Sequence, residues 1–342
     1  MKVILSGDIG GTNARLQLNS YNSNNLQKIF YKKYLTCQFA SFLDIIKKFL
    51  NDSLPFDKET VSFVCIAVAG PVKEESIKLT NFTLRFDKEE ICSFFKLQDS
   101  CVKFINDFDA VGYGLNLVSE SDIVTLQGKK AKDNSPILFL GAGTGFGVST
   151  LINKHKKKFI FTSEAGHQNF SPVDLEQIQL LNYLKKKFTR VSIERLCSGP
   201  GLVNIYEYMC FTFDKEKYFN FFDLCSNKFK RSESIVDLAL KKNDPLSLKT
   251  LDIFIRIYGS IAGDMALTFL PRGGLYIVGG IASRLVLQLS DGRFLNSFND
   301  KGRMSTLMKE FFISVVTDSD IGIKGATYYG LLTAQNSLFS KA

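Results

Sequence analysis

The stretch GDIGGTNARL occupies residues 7–16 and follows the short apolar run Val3–Leu5. Val3–Leu5 predicts a β-strand, and the alternation of apolar and polar residues over Ala14–Leu18 predicts a second strand. The glycines between these two strands predict a tight turn, so the stretch is interpreted as a β-hairpin. An ordinary glycine hairpin without a ligand is the alternative for this stretch taken alone.

The glycine turn of this hairpin has the chemistry of a phosphate site. Because Gly10 and Gly11 lack side chains, backbone N–H groups can approach a polyphosphate, and Thr12 and Asn13 add donors. Asp8 stands at the strand end beside the turn. It can hold a hydrated Mg²⁺, which prefers one or two carboxylates together with phosphates.

A second glycine turn, GAGTGFG at residues 141–147, lies between the apolar runs Ile137–Leu140 and Val148–Ile152. The order of strand, glycine turn and strand thus recurs roughly 130 residues after the first, which suggests two duplicated halves with one phosphate loop each. Two such turns facing each other would clasp the phosphates of a nucleotide. A third break, Gly279-Gly280 after Leu275–Val278, suits backbone lying against adenine or ribose. None of these segments has the Walker or the Rossmann spacing.

The remainder of the chain alternates short β-rich runs with amphipathic helical stretches, which is typical of the α/β class. Further predicted strands are Val61–Ala69 and Val102–Ile105. The predicted helices are Phe39–Leu50, Asp87–Leu97, a helix that starts with Ser171 as N-cap and Pro172 as first residue, Ser247–Leu270 and Ile321–Leu338.

The pair Asn106-Asp107 follows the predicted strand Val102–Ile105 and is the candidate for the chemistry. A carboxylate at the C-terminal end of a strand, in a cleft between halves, can accept the proton of a hydroxyl that attacks phosphorus. The alternative for a lone Asp is an N-cap of the following helix. Because Asp109 suits the cap of a helix starting at Ala110, Asp107 is expected to remain available as a base.

Three further polar residues suit recognition of a polyol. Glu164 and His167, within SEAGH at residues 163–167, supply both acceptors and donors, and Glu194 adds a carboxylate. A structural role is the alternative for a single His, and an exposed helix charge is the alternative for Glu194.

Charge and composition exclude several classes of protein. The 342 residues are 45% apolar, with 43 Lys and Arg against 34 Asp and Glu, a net charge of +9. The lysines are dispersed, which argues against a nucleic-acid surface. No apolar run approaches the roughly 18 residues of a membrane span, and the seven cysteines are odd in number without a C-x-x-C pair. We therefore expect a soluble, cytoplasmic protein of about two domains that binds neither nucleic acid nor membrane.

Taken together, these motifs resemble the bacterial-type glucokinase family of the hexokinase, Hsp70 and actin-like superfamily. The resemblance runs in family order across nearly the whole chain. The matching stretches are Gly7–Leu16, Thr80-Asn81, Ile105–Phe108, Gly141–Gly147, Glu164–His167, Glu194-Arg195, Ser198–Asn204, Gly279–Ile281 and Asp300–Arg303.

The resemblance implies a two-domain actin-like ATPase fold, which is ribonuclease H-like, with glucose in a cleft between the domains. A small domain would comprise residues 1–117 and the C-terminal helix 322–342, and a large domain residues 118–321. The implied reaction is ATP-dependent phosphorylation of D-glucose on its 6-hydroxyl, with Mg²⁺, by a homodimer.

The resemblance also implies roles for individual residues. Asp107 would be the general base. The implied sugar contacts are Asn106, Asp107, Glu164, His167 and Glu194. The implied nucleotide contacts are Asp8, Gly10, Gly11, Thr12 and Asn13 in the first turn, Gly143 and Thr144 in the second, and Gly279 and Gly280 in the third segment.

The sequence departs from the family pattern at two places. Ser163 and Ala165 stand where the family usually has glycine around Glu164, and Ala165 would be strained if its position needs a positive φ. A family tryptophan is absent, with Leu84 near its place. These departures bear on sugar specificity. A broader hexokinase or mannokinase, another phosphate donor, and a non-catalytic sugar-binding regulator are therefore kept as alternatives.

Overall fold

The computed structural model describes residues 2–22, 25–53, 56–68, 70, 72–73, 76–77, 84–129, 135–154, 157–213 and 228–339. The chain divides into two compact units: unit 1 is Met1–Ser119 with Asp320–Ala342, and unit 2 is Glu120–Ser319. The limits expected from the sequence, 117/118 and 321/322, each differ by two residues from those of the units. Their status as functional domains stays a prediction. Thr80-Asn81 lies outside the described residues.

Unit 1 is built on a mixed β-sheet. Its strands are β1 (Lys2–Ile9), β2 (Asn13–Tyr21), β3 (Leu26–Leu35), β4 (Val61–Val68), β5 (Val72–Lys73), β6 (Ser76–Ile77) and β7 (Val102–Asn106). Within the described residues the main sheet has the order β3-β2-β1-β4-β7, and β5 pairs with β6 apart from it. β1 is antiparallel to β2 and parallel to β4, which is parallel to β7.

Helices cover both faces of the sheet in unit 1. They are α1 (Phe42–Asp52), α2 (Lys88–Phe95), α3 (Asp107–Gly114) and a helix of Ile321–Phe339, called here the C-terminal helix. Along β1, Val3 and Leu5 join the core under α1 and α2, whereas Ile4 joins the core under α3 and the C-terminal helix. Because both faces are buried, the run Val3–Leu5 is continuously apolar rather than alternating.

The C-terminal helix packs on α3 at glycine positions. A Cβ built on Gly325 would overlap the carbonyl oxygen of Ala110 in α3, and a Cβ on Gly114 would overlap the carbonyl oxygen of Ile321. The backbones of the two helices therefore approach each other more closely than any side chain would allow. This contact closes unit 1 with a segment that comes from the far end of the chain.

Unit 2 repeats the strand order of unit 1. Its strands are β8 (Ile123–Gln127), β9 (Ile137–Ala142), β10 (Phe146–Lys154), β11 (Lys157–Ser163), β12 (Gly274–Val278) and β13 (Ile313–Val316). The sheet order is β11-β10-β9-β12-β13-β8 within the described residues. β9 is antiparallel to β10 and parallel to β12, which is parallel to β13. The first five strands thus match β3-β2-β1-β4-β7, and β8 is an added sixth.

Eight described helices surround this second sheet. They are α4 (Leu175–Lys187), α5 (Gly199–Phe213), α6 (Lys228–Lys242), α7 (Pro245–Phe269), α8 (Gly280–Arg284), α9 (Val286–Ser290), α10 (Arg293–Asn299) and α11 (Ser305–Met308). The long helix α7 is the centre of the core, with Leu251, Phe254 and Tyr258 buried. In the described part of the chain, no helix has both the length and the apolar character that a membrane crossing requires.

Several helix starts differ from the sequence prediction, and three of them show the same cause. The first helix begins at Phe42, because Ser41 is its N-cap in a capping box with Asp44, so Phe39 lies outside it. The helix expected from Ser171 begins at Leu175, because Asp174 rather than Ser171 accepts the N–H of Gln177. The helix expected from Ser247 begins at Pro245, after the N-cap Asp244. In each case the N-cap is a Ser or Asp that lies a few residues from the start expected from the sequence.

Candidate active site

In unit 1 the candidate residues meet at one edge of the sheet. The parallel strands β1, β4 and β7 all end there, since Ile9 is in register with Val68 and Val68 with Asn106. Asp8 lies near the end of β1, before the glycine turn, while Asn106 ends β7 and Asp107 follows it. The carboxyl edge of parallel strands is where α/β sheets generally bind their ligands.

Asp107 is the first residue of α3, and the backbone around it is fixed by Asn106. The Oδ1 of Asn106 accepts the N–H of Phe108 at 2.8 Å, and its Nδ2 donates to the carbonyl of Gly70 at 3.0 Å. Asn106 is thus the N-cap, and the expectation that Asp109 caps a helix from Ala110 is wrong. The helix starts at Asp107, three residues before Ala110, because the side-chain oxygen of Asn106 accepts the N–H of Phe108, two residues later.

The carboxyl group of Asp107 is tuned toward neutral pH. Burial above all, with the nearby Asp8 and Asp109, raises its pKa to about 7, although the N–H of Phe108, 3.0 Å from Oδ1, opposes the shift. Burial likewise raises the pKa of Asp109 to about 6. A carboxylate with a pKa near the working pH is suited to accept a proton during reaction.

Asp8 is held by an ion pair across the hairpin. Arg15 Nη1 donates to Asp8 Oδ2 at 2.9 Å, while Arg15 Nε lies 3.6 Å from Asp320 Oδ1, which also accepts the Tyr31 hydroxyl at 3.0 Å. Burial raises the pKa of Asp8 and Arg15 opposes this. The sequence interpretation missed Arg15, although Asp8 and Arg15 are register partners in the hairpin and could have been paired from the turn length alone.

The surroundings of Asp8 fit a hydrated Mg²⁺ held largely by phosphates. Among the described residues no three Asp, Glu, His or Cys side chains gather into a metal cluster. Mg²⁺ usually keeps several waters and takes one or two protein carboxylates plus substrate phosphates. A single carboxylate beside a glycine turn satisfies that requirement, so Asp8 stays a candidate for a water-mediated contact.

The backbone of the first glycine turn is hydrogen-bonded to the protein on one side, and two of its residues are exposed on the other. Gly10 N–H donates to the carbonyl of Asn13 at 2.8 Å, and Thr36 donates from its N–H to the carbonyl of Thr12 and from its hydroxyl to that of Gly11. The carbonyls therefore face the protein, while Gly11 and Thr12 are exposed. A turn of this kind has its backbone shape set before a ligand arrives.

In unit 2 the register brings the second and third glycine segments together. Gly141 on β9 is opposite Val278 on the parallel strand β12. Gly279 has φ +96°, and a Cβ there would lie 3.2 Å from the carbonyl oxygen of Ala142, so this position requires glycine.

The space beside these two segments is open. A Cβ built on Gly143 or on Gly280 would meet nothing within 4 Å. Gly143 is fixed by its neighbours, since its N–H donates to the carbonyl of Gly145 and its carbonyl accepts the N–H of Gly199 at 2.7 Å. Gly143, Thr144, Gly279 and Gly280 thus lie at one edge of the unit 2 sheet, with open space beside Gly143 and Gly280.

Glu194 and the pair Glu164 and His167 also belong to unit 2. Glu194 Oε2 accepts the N–H of Phe146 at 2.9 Å, which fixes this carboxylate at the second glycine turn. Glu164 Oε2 lies 3.8 Å from His167 Nε2, and both side chains are exposed. Gly166 between them packs on the same residue as Glu194, because a Cβ there would overlap the carbonyl of Phe146. The Glu194 carboxylate and the backbone at Gly166 therefore both lie against Phe146, at the start of β10.

The two departures from glycine around Glu164 are accommodated. Ala165 is the buried first residue of a 3₁₀ turn, Ala165–His167, and is not among the described residues with positive φ. Ser163 Oγ accepts the N–H of Ala165 at 3.1 Å, a contact that glycine cannot make. The strain that a positive φ would have caused at Ala165 is therefore absent. Leu84, near the place of the family tryptophan, is buried in unit 1.

We expect Ala165→Gly to lower the free energy of unfolding by about 1 kcal/mol. The substitution removes a buried methyl group and adds backbone freedom to the unfolded chain. Urea unfolding followed by circular dichroism measures the change. A clear increase in stability would contradict the unstrained backbone described above.

Comparison with known proteins gives a match along the chain. The family described as Glucokinase matches residues 5–332. A glucokinase of Trichormus variabilis is 36% identical over 340 residues, covering 95% of this chain and 98% of that protein. A crystal structure of a glucokinase from an Antarctic psychrotroph is 29% identical, with a TM-score of 0.78, and covers 97% of this chain and 99% of that one.

A more distant similarity extends to the fold alone. A ROK family glucokinase from Streptomyces griseus, solved in complex with glucose and AMPPNP, is 18% identical with a TM-score of 0.61 and covers 97% of this chain and 99% of that one. These neighbours have the actin-like ATPase fold. The α/β class and the fold expected from the sequence are thereby confirmed.

Proposed function

Since the chain belongs to the glucokinase family, we propose that it transfers the γ-phosphoryl group of ATP to the 6-hydroxyl of glucose, with Asp107 as the general base. The observation that carries the proposal is the family match over residues 5–332, which includes every residue assigned a role. The raised pKa of Asp107, to about 7, supports its assignment as the base.

The catalytic part of the proposal concerns unit 1. Asp107 accepts the proton of the 6-hydroxyl as the oxygen attacks phosphorus, and the bond from the γ-phosphorus to the bridging oxygen of ADP breaks in line. General base catalysis of this kind typically contributes about 10²–10⁴-fold. Asn106 caps α3 with its Oδ1 and so fixes the backbone of Asp107.

The sugar contacts in the proposal are Asn106, Asp107, Glu164, His167 and Glu194. Carboxylates accept hydrogen bonds from sugar hydroxyls, and the imidazole can donate or accept. Glu194 is held by the N–H of Phe146 and is thus oriented before a sugar binds. A site with fixed polar groups discriminates strongly against analogues that leave those groups unpaired.

The nucleotide contacts in the proposal are Gly10, Gly11, Thr12, Asn13, Gly143, Thr144, Gly279 and Gly280. Backbone N–H groups in glycine turns bind phosphates without a lysine. Asp8 would hold Mg²⁺ through water, and the ion supplies neutralisation of the phosphate charge. A homodimer and a cytoplasmic location complete the proposal, and light scattering after size-exclusion chromatography tests the dimer.

The pH dependence of kcat/KM follows from the state of Asp107. Its pKa is raised to about 7, and only the deprotonated carboxylate can accept a proton. We therefore expect kcat/KM for glucose to fall as the pH drops below about 7, approaching tenfold per unit. Initial rates between pH 5.5 and 9 measure the profile. A flat profile down to pH 5.5 would contradict the assignment of the base.

A substrate panel tests the proposed reaction itself. Glucose, mannose, fructose and N-acetylglucosamine are each offered with ATP, ADP or polyphosphate, and product formation is measured. Glucose with MgATP is expected to give the highest kcat/KM. Comparable rates with mannose would favour a broader hexokinase, and glucose binding by calorimetry without product would favour a non-catalytic regulator.

A further inference from the structure

The segment that bears Glu164 and His167 has little regular structure of its own. It leaves β11 at Ser163 and forms a single 3₁₀ turn, Ala165–His167. The side chain of Glu164 is 84% exposed and that of His167 is 61% exposed. Packing therefore does not fix their directions, and their placement depends on how the backbone beneath them is held.

Residues 168–170, at the C-terminal end of this segment, pair through backbone hydrogen bonds with residues 191–193, which precede α5. This pairing is called here the strap. Phe170 N–H donates to the carbonyl of Val191 at 3.1 Å, and Ile193 N–H donates to the carbonyl of Gln168 at 2.9 Å. Asn169 pairs with Ser192 between these two bonds. The strap ends at Gln168, so the backbone of His167 lies one residue beyond it.

Arg190 extends the strap to His167. Its Nη2 donates to the carbonyl of His167 at 2.8 Å, and its Nε donates to Oδ1 of Asn169 at 2.6 Å. One planar guanidinium thus fixes two acceptors that are two residues apart, a geometry that a lysine cannot reproduce with a single ammonium group. Glu194 lies four residues after Arg190, in the 3₁₀ turn Ile193–Arg195 that follows the strap.

We propose that Arg190 is a positioning residue for hexose recognition, which orients His167 and Glu164 through the backbone without touching the sugar. The proposal rests on the proposed function, because it takes these two side chains as sugar contacts. Holding a loop in its binding conformation lowers the entropy cost of binding. The loss of Arg190 is therefore expected to weaken sugar affinity more than the chemical step.

The test compares Arg190→Ala with a matched control, Lys186→Ala, which removes an exposed cation in the last turn of α4. We expect Arg190→Ala to raise the calorimetric Kd and the KM for glucose about tenfold, as for loss of charge-assisted hydrogen bonds. The kcat, the KM for ATP and the Tm should change little, since Arg190 is exposed. Arg190→Lys should show most of the same loss, and Lys186→Ala none.

Hydrogen exchange separates the positioning of the loop from its role in recognition. Amides of residues 167–170 should exchange faster in sugar-free Arg190→Ala than in the wild type. Unchanged exchange would overturn the positioning role, and faster exchange with an unchanged Kd would overturn the role in recognition. Equal losses in kcat, KM for ATP and Tm would instead indicate a general structural defect and overturn the proposal.

A double-mutant cycle tests whether Arg190 acts through His167. If it does, Arg190→Ala should add little to the loss of glucose affinity caused by His167→Ala, and fully additive losses would overturn the proposal. The wild-type protein tests the proposed function separately. A wild type that binds no hexose contradicts that function, whereas a wild type that binds glucose while Arg190→Ala binds it equally well contradicts only this inference.

Discussion

Asp107→Asn is expected to lower kcat for glucose phosphorylation by at least about 10²-fold while glucose binding is retained. The amide keeps the size of the carboxylate and its hydrogen-bonding oxygen, but it cannot accept the proton of the 6-hydroxyl. A coupled assay at saturating glucose and MgATP gives kcat, and calorimetry gives the Kd for glucose. Near-wild-type turnover would remove Asp107 from the role of base.

Asp109→Asn is the matched control for this prediction. Asp109 lies in the same turn of α3, and burial raises its pKa to about 6, yet the proposed reaction does not use it. Its replacement should keep kcat within about tenfold, less than the loss of a general base. An equal fall in both variants would indicate a disturbed helix start rather than a lost base.

Asp107→Asn should also change the stability of the protein, and it should raise stability while it lowers activity. The pKa of Asp107 is raised in the folded protein, so between about pH 4 and pH 7 the folded state binds more protons than the unfolded state. The free energy of unfolding therefore falls as the pH rises through this window. At pH 8, Asp107→Asn is free of this loss and should have a higher Tm than the wild type. The base is thus held at the expense of stability.

Gly325→Ala is expected to destabilise the protein by at least about 3 kcal/mol, at the upper end of overpacking penalties. In an exposed helix this change would stabilise by up to about 1 kcal/mol. Here the added methyl would overlap the carbonyl oxygen of Ala110, and a main-chain atom cannot move aside without separating α3 from the C-terminal helix. Urea unfolding measures the loss.

Gly330→Ala on the same helix is the control for Gly325→Ala. A Cβ at Gly330 would lie 3.2 Å from side-chain atoms of Cys65 and Ile4, which can yield by a few tenths of an ångström. Its expected change is within about 1 kcal/mol. Similar stability of the two variants would show that the close helix contact does not limit the stability of unit 1.

The parts of the fold predicted from the sequence are those with a local signal. Apolar runs that end at glycines predicted both hairpins, because the turn and its flanking strands are adjacent in the chain. Helix starts were less accurate because Ser, Asp and Asn residues occur close together. Asn106 rather than Asp109, and Asp174 rather than Ser171, accept the first N–H groups. Only the backbone geometry decides between such neighbours.

The candidate site, like the fold, has parts that the sequence predicted and parts that it did not. Its residues lie within recognisable motifs, so the sequence sufficed to name them, and their roles stay predictions. The tuning of Asp107 and the support of Asp8 depend on distant residues. Asp320 accepts the hydroxyl of Tyr31 across 289 residues of chain, and no periodicity or spacing predicts such a contact. Arg190 was missed for a similar reason, since its partners are backbone and amide oxygens of another segment.

The C-terminal helix also constrains the order in which the protein can be made. Residues 1–119 leave the ribosome first, but the helix that covers Ile4 and Phe63 follows only after the 200 residues of unit 2. At about 5–20 residues per second, their synthesis takes roughly 10–40 s. During that interval unit 2 is still being synthesised, and the face of the first sheet that α3 and the C-terminal helix share has only α3 on it. A nascent chain therefore presents this apolar face to chaperones until translation reaches the last helix.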